Sequence, residues 1–268
     1  MSFSFLRQAL RRLLLLPGVR QVFQTDDEVA WSAHNRKTLK EKEILRRLYL
    51  SYYGRHVAHL AKVPGRTLEV GSGGGFFKEV CPEALTSEVL RVGQVELVLD
   101  AERLPFVDGS LANIVFIGVL HHLREPFRFF EEAQRALTPG GRIIFTEPHV
   151  SWLSYFVYKY LHHEPCEFSG IVEKGGPLLC GNLAVASVLF GRRRAEFESR
   201  FPGLRLRVVT YHDIFLYLLS GGVNYRSFVP GVLFSPLRAV EGVLSPVAKY
   251  LSMFMTVVIE KKRTKDEG

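Results

Sequence analysis

Thr67-Leu68-Glu69-Val70-Gly71-Ser72-Gly73-Gly74-Gly75 is the stretch that decides the fold. An apolar strand runs into a carboxylate, and glycines follow at 71, 73 and 75. Glycine lets a backbone turn tightly and come close to a ligand. Two nucleotide-binding patterns fail here. A dinucleotide fingerprint, G-x-G-x-x-G, needs a third glycine where counting from Gly71 finds Phe76. A P-loop ends in Gly-Lys-Ser/Thr, and this segment does not. What remains is a glycine turn beside Glu69, a carboxylate that would repel a pyrophosphate and attract a cationic amino-acid group.

Outward from that turn the chain alternates strand and helix. Residues 66–71 read as the first strand and 74–80 as a helix stopped by Pro82; 84–89 and 94–99 read as two short strands. Residues 112–119 are a near-continuous apolar run, as a buried parallel strand should be. A helix over 125–137 ends at Pro139-Gly140-Gly141, and 142–147 is the next buried strand. Helix 192–201, strand 204–211 and a last strand 252–260 complete the pattern, and a long helix over 34–60 precedes it. Strand–helix–strand repetition predicts an α/β fold, a parallel sheet with helices on both faces.

Several later segments resemble the class I S-adenosylmethionine-dependent methyltransferases, particularly their type 11 branch. Asp100-Ala101-Glu102-Arg103-Leu104-Pro105-Phe106 is similar to the branch's D-A-x-x-L-P-F motif, and Leu120-His121-His122-Leu123 to its L-H-H motif. Arg135 to Gly141 resembles its R-x-L-x-P-G-G turn. After Asp108-Gly109-Ser110 the branch usually continues Phe-Asp, where this chain has Leu111-Ala112. The resemblance covers about residues 66–148. It implies a Rossmann-like doubly wound sheet of seven mostly parallel strands with an antiparallel last strand. A helical N-terminal extension (1–62) would precede a methyltransferase domain (63–268) with cap insertions at about 150–190 and 213–250.

The resemblance also implies S-adenosyl-L-methionine as cofactor. It assigns Glu69, Gly71, Ser72, Gly73 and Gly75 to the methionine end, Glu88 to the ribose hydroxyls, and Asp100 with Ala101 to the adenine. A carboxylate suits a cis-diol because it accepts two hydrogen bonds. Only about five residues separate Glu88 from the third strand. A parallel crossover normally takes a dozen or more, so the helix there is expected to be missing or reduced to a turn.

On the acceptor side, His121 and His122 follow strand 4 at the carboxyl edge, where ligands sit in such sheets. Either is a candidate base, since histidine titrates near neutrality. Glu147, His149 and His163 are expected to line the substrate pocket. His162-His163-Glu164-Pro165-Cys166 is the most metal-like cluster, yet adjacent helical histidines diverge by about 100° and no H-E-x-x-H or C-x-x-C supports zinc, so no metal is expected.

Among 268 residues, 47% are apolar and 23% charged, which is ordinary for a globular protein. Three irregularly spaced cysteines argue against a disulfide framework and for a reducing cytoplasm. Net charge is +8. The basic, amphipathic residues 1–24 read as a helix packed on the domain with its arginines in solvent or as one lying on an anionic membrane. The apolar 213–250 read as a lid buried over the pocket or as a membrane contact. Together they leave room for a peripheral membrane contact and a small or lipid-like acceptor. The type 11 resemblance brings no Asn/Asp-Pro-Pro-Tyr/Phe motif, since 118–121 read Gly-Val-Leu-His, and no nucleic acid partner is expected. The oligomeric state is open. A non-catalytic, cofactor-binding protein at a membrane surface is the other reading.

Overall fold

The protein is described by a computed structural model over residues 14–16, 19, 27–160, 162, 164–169 and 181–263. Seven strands form one sheet in the order β3-β2-β1-β4-β5-β7-β6. Their ranges are β1 Arg66–Glu69, β2 Leu85–Glu88, β3 Leu97–Val98, β4 Leu111–Ile117, β5 Leu137–Pro148, β6 Leu204–His212 and β7 Phe254–Lys261. The first five pair in parallel; β7 runs antiparallel to both β5 and β6. The expected seven-stranded sheet with a reversed last strand is therefore present.

Period-two alternation explains why both faces carry helices. Ile114, Phe116, Ile143, Phe145, Val257 and Ile259 face one cluster, with Phe129, Phe130 and Ala133 of helix α3 (Pro126–Ala136). Val115, Ile144 and Val258 face the other, with Ile44, Leu45, Leu48 and Tyr52 of helix α2 (Glu43–Ala58). The N-terminal helices thus share a core with the sheet. Arg135 at the end of α3 donates to the carbonyls of Leu104 and Phe106 and to Asp108, which pins the 100–108 loop under the helix.

Several expected elements differ. The helix over 34–60 is two helices, α1 (Glu28–Glu41) and α2, broken at Lys42, whose backbone is extended. The Lys42 ammonium instead donates to the carbonyls of Gly222 and Tyr225 at 2.5 and 2.7 Å, and burial lowers its pKa to about 8. The helix expected at 74–80 is one 3-10 turn, Phe77–Glu79. Its place is taken by α1 and α2: Arg36 donates to the Gly75 carbonyl, and Phe76 and Phe77 pack against Tyr53. No helix joins β2 to β3, as the short spacing required. β5 starts five residues earlier than expected, because Leu137 pairs with Leu111 before a register shift.

Between β5 and β6 lies α4 (Trp152–Tyr160), then α5 (Arg194–Arg200). Between β6 and β7 the cap holds α6 (Leu216–Ser220), α7 (Phe234–Val243) and α8 (Ala248–Leu251). Buried polar groups tie the cap to the sheet. The Glu241 carboxylate accepts from the amides of Ile214, Phe215 and Leu216 at 2.8–2.9 Å, opening α6. Arg238 bridges Glu241 and Asp213, and Asp213 pairs with His212, which reaches Thr256. Most of the basic stretch 1–24 lies outside the described residues, but Leu15 pairs with Tyr225, so its end is tied to the cap. Among the described residues, no helix is long and apolar enough to cross a membrane.

Candidate functional site

The glycine turn is built by contacts that leave no room for side chains. Ser87 holds it to β2: its carbonyl accepts from Ser72 N at 2.8 Å, its hydroxyl donates to Glu69 O at 2.8 Å, and its amide donates to Ser72 Oγ. Gly71 has φ +67°, the left-handed region, and a Cβ there would strike Val119. A Cβ on Gly73 would lie 2.6 Å from Glu88 Oε2 and 2.8 Å from Ser32 Oγ. Glu88 itself is buried, taking the Gly73 amide on Oε2 at 3.0 Å and the Val89 amide on Oε1 at 2.8 Å. Burial pushes its pKa up while those amides pull it down, with a net rise.

Glu69 is the anomaly of the turn. It is 3% exposed and its Oε2 has no hydrogen-bond partner. Burial raises its pKa to about 7; hydrogen bonds from Ser72 and Tyr53 act against the rise, and nearby Glu88 adds to it. A buried carboxylate oxygen without a partner is costly and calls for a cation beside it.

A cavity of about 400 Å³ starts at this carboxylate. Glu69, Gly71, Gly73, Gly74, Gly75 and Glu88 form one end, walled by Trp31, Ser32 and Asn35 of α1 and by Tyr49 and Tyr53 of α2. Its middle is crossed by Ile117, Gly118, His121 and His122. The far end is apolar and aromatic, with Val157, Tyr158, Leu183, Tyr217, Phe228 and Phe254. The cap and α4 roof that end.

His121 and His122 stand on a 3-10 turn, Leu120–His122, directly after β4. Glu147, fully buried, organises this turn: Oε1 accepts from the amides of Val119 and Leu120, both at 2.7 Å, and Oε2 pairs with His121 Nδ1 at 2.6 Å. An ionised carboxylate only accepts, so His121 Nδ1 carries the proton and Nε2 is left with a lone pair. Burial opposes charge on His121, but the charge and hydrogen bond of Glu147, with Glu164 beyond, raise its pKa overall.

The sequence-predicted residues therefore divide. Glu69, Gly71, Gly73, Gly75, Glu88, His121 and His122 line one cavity, and Ser72 supports the turn behind it. Glu147 lies beneath His121, outside the lining. His149 is drawn away: it is buried, bonds Ser187 Oγ and the Lys249 carbonyl, and burial lowers its pKa. It fastens α8 to β5. Ala101 is buried in the core cluster, and Asp100 is exposed at the end of β3, accepting from the Glu102 amide. His163 lies outside the described residues. Sequence reasoning missed Tyr49 and Tyr53, which reach the cavity from α2; Glu164, singled out in the His162–Cys166 cluster, lines it from the segment after α4. For the two tyrosines a signal existed, since Tyr49, Tyr52 and Tyr53 share one face of an amphipathic helix.

The glycine turn and Glu69, with its Oε2 unpartnered, fit the amino-acid end of a methionine-derived cofactor: the carboxylate offers a counter-charge for an ammonium group, and the turn allows close backbone approach. Residues 68–145 match the family model described as a methyltransferase domain. A tRNA U34 carboxymethyltransferase from Syntrophotalea carbinolica is 30% identical over 113 residues, which are 34% of this chain and 35% of that protein. The chain thus matches about a third of the length of that curated relative. A chain in the complex between the Haloferax volcanii Trm112 methyltransferase activator and a methyltransferase aligns with TM-score 0.52 at 15% identity, covering 89% of this chain and 97% of its own. An S-adenosylmethionine-dependent methyltransferase from Archaeoglobus fulgidus aligns with TM-score 0.48 at 13% identity, covering 81% and 94%. At such identities the structural likeness shows the fold.

Proposed function

We propose that this chain, whose residues 68–145 match a methyltransferase domain, is an S-adenosylmethionine-dependent methyltransferase that transfers a methyl group to a small, lipid-like acceptor held beneath its apolar cap. The supporting observation is a single cavity that joins Glu69, with its unpartnered Oε2, and the glycine turn to His121 and His122 under aromatic walls. In this reading Glu69 meets the cofactor's ammonium, Glu88 its ribose, and the open end of β3 at Asp100 and Ala101 its adenine. When bound, the sulfonium supplies an electrophilic methyl carbon.

The chain's own residues then have positioning to do. Displacement at carbon needs an aligned nucleophile and little water. Tyr158 and Phe254, both buried, and the partly buried Tyr49 and Tyr217 exclude water around the acceptor. His121, fixed by Glu147, presents Nε2 to the acceptor's reactive atom, and that lone pair can hold a proton released there. His122 flanks it, with ring centroids 4.1 Å apart.

The outer face of the roof supports delivery from a membrane surface. Trp152, Phe156 and Tyr160 are exposed along α4, and Tyr250 of α8 continues the patch beside Trp152. Such a contiguous apolar face on a chain of net charge +8 suits an anionic lipid surface.

Calorimetry with S-adenosylmethionine and S-adenosylhomocysteine tests the core of the proposal: no micromolar binding would sink it. Labelled methyl transfer across a lipid, quinone and glycoside panel tests the acceptor class. Binding without turnover would favour a non-catalytic cofactor-binding protein. Sedimentation with anionic vesicles should fall sharply in a Trp152→Glu, Phe156→Glu double variant, and unchanged pelleting would remove the membrane role.

A further inference from the structure

Glu164 gathers three imidazoles around one carboxylate, the nearest being His162 Nδ1 at 3.5 Å from Oε2. His122 Nε2 is 3.7 Å from Glu164 Oε1, and His121 Nε2 is 3.9 Å from Glu164 Oε2. Each nitrogen thus faces its own oxygen of one carboxylate, at separations beyond the roughly 2.7–3.2 Å of a hydrogen bond. One ligand atom from each of the three side chains falls within 4.8 Å of the others. Ligands about 2.0–2.2 Å from a zinc-like ion stand roughly 3.4 Å apart on a tetrahedron. The two histidine–glutamate pairs need a few tenths of an ångström of closure to reach that spacing, and the two imidazoles, whose ligand atoms lie within 4.8 Å, need at most a rotation of the rings.

Three further features point the same way. First, Glu147 holds the Nδ1–H of His121 at 2.6 Å, so Nε2 is the lone-pair nitrogen and is aimed at Glu164. A carboxylate behind a ligating histidine is the usual support of a metal-bound imidazole. Second, Glu147 and Glu164 together carry two negative charges, which neutralise a divalent ion in a site where both histidines are largely buried. Third, Gly181 closes the rear: a Cβ there would lie 3.0 Å from Glu164 Oε1 and 3.3 Å from His122 Nδ1. The cavity is on the other side, since His121, His122 and Glu164 all line it.

We propose that His121, His122 and Glu164 bind one divalent first-row transition-metal ion, with a coordination position open to the acceptor end of the cavity. Two imidazoles and one carboxylate with an open position is a donor set of catalytic zinc and of related divalent metals. An oxygen of the acceptor completes the shell, which narrows the acceptor to molecules with a hydroxyl, enol or carboxyl group beside an apolar body. Adjacent histidines would diverge on an α-helix; on the 3-10 turn their rings come to 4.1 Å. His162 is not a ligand through Nδ1, because that atom accepts the Glu164 amide. This deepens the methyl-transfer reading by giving the His121 Nε2 lone pair to the ion in place of the proton-holding role described above, and rests on it only for the use made of the open position.

The test uses the full, tag-free chain stripped with a chelator. Calorimetric titration with Zn²⁺ should show one equivalent per chain, and Co²⁺ should give the visible spectrum of a four- or five-coordinate nitrogen–oxygen site. His122→Ala and Glu164→Gln should each abolish that equivalent, and Glu147→Gln should weaken it about 10–100-fold. No equivalent in the wild type, or one that survives in both ligand variants, overturns the proposal. If a variant loses its near-ultraviolet circular dichroism, the wild-type Co²⁺ spectrum decides alone. An aqueous octahedral spectrum, or a thiolate band from cysteine, refutes the site. S-adenosylhomocysteine binding measured in parallel separates the failures: its loss sinks methyl transfer and leaves the metal result standing.

Discussion

Replacing Glu69 by Gln should make the ligand-free protein more stable and the ligand-binding protein worse. The carboxylate is 3% exposed with one oxygen unpartnered, and its pKa rises from 4.5 to about 7. At about 1.4 kcal/mol per tenfold change in proton affinity, that rise is on the order of 3 kcal/mol of destabilisation once the group is ionised. The sign follows from linkage. The folded pKa of an acid is raised, so the folded state binds more protons than the unfolded chain between pH 4.5 and 7, and stability falls as pH rises through that window. Above pH 7 the full penalty is present; below pH 4.5 it vanishes. Glutamine removes the charge but leaves an amide that finds imperfect partners, which offsets about 1 kcal/mol. The expected gain at pH 8 is therefore about 2 kcal/mol, on the order of 5 °C in melting temperature for a chain of this size, turning into a loss of about 1 kcal/mol below pH 4.5, where only the cost of the amide remains. S-adenosylhomocysteine affinity should drop roughly 30–1000-fold, since a buried charge partner is lost. Differential scanning fluorimetry across pH and calorimetry measure both. A folded variant no more stable than wild type at pH 8, or one that keeps its affinity, refutes the assignment of Glu69 as a carboxylate awaiting a cation.

Gly73→Ala would place a methyl group 2.6 Å from Glu88 Oε2 and 2.8 Å from Ser32 Oγ; cofactor affinity should fall at least about tenfold with a small change in stability, and an unaltered affinity would remove Gly73 from the cofactor wall. Glu241→Ala deprives three amides of their acceptor and leaves Arg238 facing Asp213 alone; roughly 2–4 kcal/mol should be lost, and limited proteolysis should cut first within 213–250, so a urea midpoint equal to wild type contradicts the anchor. His56 is buried against Thr146 and its pKa is lowered to about 3, by burial first and then by His212 and Arg55. The unfolded chain takes up that proton near pH 6.5 and the folded protein only near 3, so stability is lost as pH falls between them, by no more than about 5 kcal/mol. His56→Gln should flatten this acid slope in chemical denaturation series, and an identical slope would show that another group carries it.

What could be read from the chain, and what could not, follows from the range of the forces involved. β4 and β5 were legible because a parallel strand covered on both faces must be apolar on both at its centre, and 114–117 and 143–145 are. The glycine turn was legible because its demand is local: a positive φ at Gly71 and backbone contact at Gly73 leave no alternative residue. The helix at 74–80 failed for the opposite reason. Its apolar residues Phe76 and Phe77 look like the start of a helix face, but they are claimed by Tyr53, more than twenty positions upstream. The acceptor end shows the same limit more sharply. Glu147 was placed correctly at the carboxyl edge, yet whether it lines the cavity or supports His121 depends on which amides reach it, and those of Val119 and Leu120 come from another strand's end. His149, two positions on, points to the other face of the edge and serves the cap. The cap's own position depends on Lys42, whose ammonium meets carbonyls 180 residues away, a pairing that no periodicity encodes. Motifs of strand ends therefore mark the proposed methyl-donor end, because all the groups concerned follow consecutive strands. The acceptor end is assembled from α2, the turn after β4, the segment after α4 and the cap, and only the folded chain brings these four together around His121.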